Sequence, residues 1–453
     1  MRSAGLQRCL MYDNLNKRQM RPANAARFGG AVRRTLVCHI LNNSAQFIHS
    51  YLIYGTQDKD RMVILKKFIK VFAIIVVSLA VIVYGGVFLG HKVFFTEETS
   101  NVPTIEAVSN DRFTLGVQAH PVHPETLETF IPVLAEQLRR YNEIAPELWP
   151  NNPLVNQSLI IEGLRSKKFW LIEPDGSVTP LKKDEALSYG FTRNAYVDGF
   201  SFFDDGMYYA FSDEDLTNFL KWEKYLHLGT HDVSLFVTHE GFHRTTQGNW
   251  KSMDEIANRG RSEFLENIPA RAKRNLMQKQ ILAAVNNPGD TQLILEALAT
   301  YVDWKTYFPD DYNNAIYFER FEGTANYYEY VTGLYMGYPN RIRNSTDLDG
   351  ALALLASRED VYVGYGVVRE SYTVSGFACV LLDRLESDWK ERLMDDPAAT
   401  PIEMLYQHFI DEPLPEPKQL TQSEIDAVAE EIEKQNVNLV LPRLFRFFYD
   451  LLF

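Results

Sequence analysis

The segment THDVSLFVTHEGFH, residues 230–243, decides how this chain is read. Thr230, His231 and Asp232 offer capping chemistry for a helix start, and Val233, Leu235, Phe236 and Val237 supply an apolar face running into its end. On such a helix His239 and His243 stand four positions apart on one face, so both imidazoles can reach a single ion. Glu240 lies beside that face, placed to take a proton from a water held by the same ion. With 10 histidines in 453 residues, chance would produce only about 0.01 to 0.02 such patterns, which makes two idle surface histidines the weaker reading.

Two histidines do not complete a zinc site, which usually takes a third protein ligand and leaves the fourth position to water. No histidine follows His243 at short spacing, and with 3 cysteines and no Cys-x-x-Cys a thiolate site is excluded. The ligand is therefore sought among carboxylates. Glu322, in ERFEGTANYYEY (319–330), is the first choice, because Gly323 beside it weakens a helix unless two backbones pack closely there. Glu296, in LEALATYVDW, stays open as a rival, as do Glu263 and Glu266, 20 and 23 residues past His243. Glu319 and Glu329 share part of the helical face of Glu322 and are candidates to support a ligand from behind.

HEGFH followed downstream by EGTANYYEY resembles the gluzincin metallopeptidases, over roughly residues 200 to 395. The resemblance implies a zincin-like α+β fold, a mainly helical catalytic domain with a small antiparallel sheet. It implies Zn2+ held by His239, His243 and Glu322, with Glu240 as general base in peptide hydrolysis. The 79-residue interval from His243 to Glu322 is longer than the common gluzincin spacing. Tyr372, followed by Ser375 and Leu382, is similar to a tyrosine that stabilises the oxyanion in some gluzincin aminopeptidases. The same residues leave open a zincin fold kept for envelope binding or assembly without turnover, and hydrolysis of a non-peptide amide or ester.

The charge is uneven along the chain. Residues 1–70 carry a balance of +10, leaving −23 for the remainder. An acidic body argues against a nucleic-acid partner, and a peptide or protein substrate is expected instead. Residues 71–90, VFAIIVVSLAVIVYGGVFLG, hold no charge over a length that spans a bilayer as a helix. Lys66, Lys67 and Lys70 precede the run while Glu97 and Glu98 follow it, so the positive-inside rule predicts a single-pass cell-membrane protein with an extracytoplasmic body. No cleavage site stands out after the run, which favours an uncleaved anchor. The first 61 residues are basic and aperiodic: translation is expected to begin at Met62, the alternative being a start at Met1 and a cytoplasmic basic arm.

The organisation expected is a basic segment at 1–61, an anchor at 62–95, and an α+β part with hairpins at 96–230. A helical catalytic part at 231–410 and a C-terminal helix with an aromatic tail at 411–453 complete it. Within these, Leu127, Phe130, Ile131, Leu134, Leu138 and Tyr141 trace a helical stripe that should stop near Pro146 and Pro150. Hairpins are predicted at 168–181 around Glu-Pro-Asp-Gly and at 200–211 around Asp-Asp-Gly. Helices are predicted at 233–247, 263–285, 290–307, 312–336, 370–386 and 421–435, the last opened by the capping box Thr421-Gln-Ser-Glu424. The run DEPLPEP, 411–417, reads as a connector, and the closing LPRLFRFFYDLLF as a segment packed into the body or lying on a membrane.

Overall fold

The computed structural model describes residues 108–109, 114–115, 126–152, 156–193, 199–204, 206–211, 213, 228–230, 232–250 and 267–434. All of them fall within one unit, Asn101–Gln435. The basic segment 1–61, Met62, the apolar run 71–90 and the aromatic tail lie outside the described residues. Among the described residues no helix is long and apolar enough to cross a membrane.

A short pair, β1 (Val108–Ser109) and β2 (Thr114–Leu115), precedes helix α1 (Leu127–Leu148). Thr126 caps α1 by accepting from the Thr129 amide at 3.3 Å. The helix runs through Pro146, where the sequence suggested a stop, and ends at Leu148. A proline in the last turn removes a single amide donor and leaves the rest of the ladder intact.

Five strands follow: β3 (Ser158–Gly163), β4 (Phe169–Ile172), β5 (Val178–Leu181), β6 (Gly199–Phe203) and β7 (Gly206–Phe211), with a short helix α2 (Lys183–Leu187) between β5 and β6. Both expected hairpins are present as β4–β5 and β6–β7. Gly176 takes φ +84° in the first turn, a conformation that glycine adopts without steric cost. The sheet is nevertheless mixed rather than antiparallel. Its order is β5-β4-β3-β7-β6, and β3 pairs parallel with β7. The cause is β3 itself, SLIIEG, which enters between the hairpins as a nearly continuous buried run. Such a strand lacks the alternation that marks a half-exposed one, so periodicity passes over it. Glu162 in this strand is fully buried and is held by the Arg193 guanidinium, whose Nε donates at 2.8 Å.

The remainder is helical. Helix α3 (Asp232–Gly241) continues into a π-helical turn, Phe242–Thr246. After it come α4 (Ile268–Asn286), α5 (Thr291–Tyr307) and α6 (Pro309–Phe318). The helix expected at 312–336 is divided by a second π-helical turn, Glu319–Gly323, before α7 (Thr324–Gly337). Helices α8 (Ser345–Ala356), α9 (Glu359–Tyr362), α10 (Val367–Leu385), α11 (Trp389–Asp395) and α12 (Pro401–His408) follow. Residues 422–434 are helical after an extended connector. The capping box there has both of its bonds: the Glu424 amide donates to Thr421 Oγ1 at 3.3 Å, and the Thr421 amide to Glu424 Oε2 at 2.8 Å.

Gly323 explains how closely two of these helices approach. A Cβ at this position would land on Cβ of Ser375 in α10 and within 3.0 Å of the Ser371 carbonyl oxygen. Gly323→Ala is expected to destabilise the protein by about 1–3 kcal/mol through overpacking. Ser375→Gly should recover part of that loss in the double variant, read by chemical denaturation.

Candidate metal centre

His239 closes α3 and His243 sits in the π turn that continues it; both are buried. Their Nε2 atoms stand 3.0 Å apart. Glu322, buried in the second π turn, brings Oε2 to 3.5 Å from His239 Nε2 and 3.6 Å from His243 Nε2. Among the described residues this is the His/Cys/Asp/Glu group able to hold a metal ion. Glu296 stands apart from it, half-buried in α5 beside Gln292, and Glu263 and Glu266 lie outside the described residues.

What lies behind each imidazole fixes its tautomer. Nδ1 of His239 lies 3.0 Å from Glu329 Oε2. A carboxylate only accepts, so Nδ1 carries the hydrogen and Nε2 presents a lone pair. Nδ1 of His243 lies 2.6 Å from Gln247 Oε1. The Gln247 amide nitrogen donates to the Phe321 carbonyl at 2.8 Å, which sets the amide so that His243 Nδ1 is again the donor. Gln247 also donates to Thr324 Oγ1 at 2.7 Å, tying one π turn to the segment that carries Glu322. The His243 ring stacks on Phe321 with centroids 3.9 Å apart.

With both Nδ1 hydrogens turned outward, neutral imidazoles present Nε2 inward, and three acceptors then converge out of water. Their separations of 3.0, 3.5 and 3.6 Å define a triangle of circumscribed radius about 2.0 Å, so a point slightly off its plane lies at the usual zinc bond lengths from all three atoms. The electrostatics respond to the same crowding. Burial alone would lower His239, but the Glu322 and Glu329 carboxylates override it and push the imidazole up to about 9. Burial alone would raise Glu322, but His243 and His239 hold it well below the usual carboxylate range. The pocket is built for positive charge, whether a proton or a metal ion supplies it.

Glu240, in α3 next to His239, is half-buried. Tyr372, half-buried in α10, places its ring 6.2 Å from that of His239 in an edge-on contact. Glu329 occupies the supporting place expected of it. Glu319 does not. A π turn takes roughly one more residue per revolution than an α turn, so positions three apart no longer share a face. Glu319 faces Arg274 instead, at 2.5 Å. There it joins a fully buried cluster in which Arg271 of α4 pairs with Asp311 and Glu370. The Arg274 guanidinium also sits 4.5 Å over the Trp304 ring. Through Glu319 and Glu370 this cluster ties α4 to the segments that carry Glu322 and Tyr372. Gln247 escaped the sequence reading, although its place four residues past His243 is the signal that could have found it.

Compared with known proteins, the chain matches no family model, no curated protein and no solved structure. The cluster behind the site makes its own test. Arg274→Ala would leave Glu319 buried without its cation, and is expected to lower unfolding free energy by about 3–5 kcal/mol. Urea denaturation of the variant against wild type checks this.

Proposed function

We propose that this protein is a zinc metallohydrolase of gluzincin type that cleaves peptide bonds, on a zincin-like fold. We further propose that residues 71–90 anchor it in the cell membrane with the body extracytoplasmic. The observation that carries the first reading is the convergence of three buried acceptors at zinc-bonding separations. Two neutral imidazoles and one carboxylate form a donor set that zinc favours, and three protein ligands leave a position for water or substrate. Zinc bound there supplies Lewis acidity, which makes water nucleophilic near neutral pH and polarises a carbonyl.

The chain's own groups supply the proton traffic and the orientation. Glu329 and Gln247 hold the Nδ1 hydrogens, so each imidazole turns Nε2 toward the ion, and binding displaces only the inward-facing proton. The Glu240 carboxylate takes a proton from the attacking water and returns it to the leaving nitrogen. The Tyr372 phenol donates a hydrogen bond to the oxygen that gains charge in the transition state. Phe321, stacked on His243, keeps one wall of the site apolar.

Purified protein should bind one equivalent of zinc, and alanine at His239, His243 or Glu322 should abolish that binding, read by metal analysis after dialysis. Glu240→Gln should keep the metal and lose peptide hydrolysis by about 10²–10⁴-fold, the usual contribution of a general base. A zinc-loaded wild type that cleaves nothing across a broad peptide library would instead favour a binding or assembly role. Gln247→Ala and Glu329→Ala should each weaken zinc by about 10–100-fold without removing a ligand, measured by competition with a chelator. Tyr372→Phe should lower kcat by about 10²–10³-fold with little change in KM; a change confined to KM would remove the phenol from the chemistry.

A further inference from the structure

Arg320 lies in the same π turn as Glu322 and is fully buried. Its Nη1 donates to the Ala399 carbonyl at 2.8 Å. Its guanidinium carbon sits 4.8 Å from the centroid of the Trp250 ring. Nε and Nη2, the two donors of the guanidinium's side-on edge, have no hydrogen-bond partner, and neither does Nε1 of Trp250. Among the described residues no carboxylate forms an ion pair with Arg320. Asp396 acts on it only through space, and its Oδ1 accepts from the Ala398 amide at 2.9 Å. Burial pulls the Arg320 guanidinium down to about 10, and the charge of Asp396 opposes that desolvation only in part.

The same molecule shows what such an edge holds when it is satisfied. Arg193 turns Nε and Nη2 onto the two oxygens of the buried Glu162 carboxylate. Both arginines sit against an aromatic ring, Phe169 in that case at 5.7 Å. Arg193 has its carboxylate, and among the described residues Arg320 has none. Buried water could satisfy the N–H groups of Arg320 but would leave the charge uncompensated, and an unpaired buried charge costs several kcal/mol.

We propose that Arg320 and Trp250 form an enclosed binding seat for a small oxyanion of the carboxylate or bicarbonate class. Two oxygens take the parallel N–H groups of the Arg320 fork, a geometry in which arginine exceeds lysine, and the partnerless indole N–H of the ring that the guanidinium packs on is a further donor. The seat is distinct from the metal centre and does not depend on the proposed function. An occupied seat neutralises the Arg320 charge in the turn that carries Glu322.

Thermal unfolding of full-length protein with sodium acetate or bicarbonate, at fixed ionic strength balanced by sodium chloride, tests the seat. Unfolding passes through an open state, so an enclosed site still registers. A ligand that binds only the folded state raises Tm progressively, with the logarithm of its concentration once that exceeds Kd. Wild type is expected to show that rise, and Arg320→Lys, which keeps the charge but loses the fork, is expected to show none. Arg320→Met, which removes the charge, should be equally unresponsive, so failure of one variant to fold leaves the other as control. Equal responses in wild type and a folded variant, or no gain of acetate and bicarbonate over chloride, would overturn the proposal. So would a crystal structure grown in acetate that shows water or a side-chain carboxylate in the fork.

Discussion

Two imidazole nitrogens and a carboxylate oxygen, each with its lone pair turned toward the others and all buried, form an arrangement that repels itself unless a cation stands among them. That constraint organises the centre of the fold. The acceptors come from two segments, α3 with its π turn and the π turn before α7, and the sequence between them contributes α4, α5 and α6. Much of the helical body serves to hold these two segments against each other. Gln247 bridges them directly, and Gly323 lets α10 approach closely enough to bring Tyr372 alongside His239.

The supporting structure is stiff in a physically specific way. Carbonyl, hydroxyl and carboxylate partners behind His239 and His243 leave these side chains little freedom to rotate. Aromatic packing continues outward: Phe242, one residue before His243, stacks on Tyr328 at 4.5 Å and meets Trp149 edge-on at 4.9 Å. On the far side of the second π turn, Arg271, Arg274, Asp311, Glu319 and Glu370 form a buried ionic cluster. Such clusters add little net stability against an apolar core of the same volume, but they penalise any slip of register, because a shifted helix would strand a charge.

The parts of this arrangement legible in the sequence are those set by local spacing. His239, Glu240 and His243 declare themselves through an i, i+4 pattern, Gly323 marks a close approach beside Glu322, and Thr421 with Glu424 announces a capping box. The two hairpins follow from their turn residues. Other features depend on neighbours far along the chain. Strand β3 is buried on both faces and so carries no alternation, which is why a sheet expected to be antiparallel is mixed. The π turns leave no compositional mark, yet they decide that Glu319 faces Arg274 and not the histidines. The pairing of Arg271 and Arg274 with acidic residues on three other segments is likewise invisible to periodicity.

The most direct test is X-ray absorption spectroscopy at the zinc edge on metal-loaded protein, joined to an anomalous difference map from crystals. The expected result is a single zinc with two imidazole nitrogens and at least one carboxylate oxygen at about 2.0–2.1 Å, seated among His239, His243 and Glu322. A zinc bound elsewhere, or protein that takes up none while those three residues keep their places, would contradict the account.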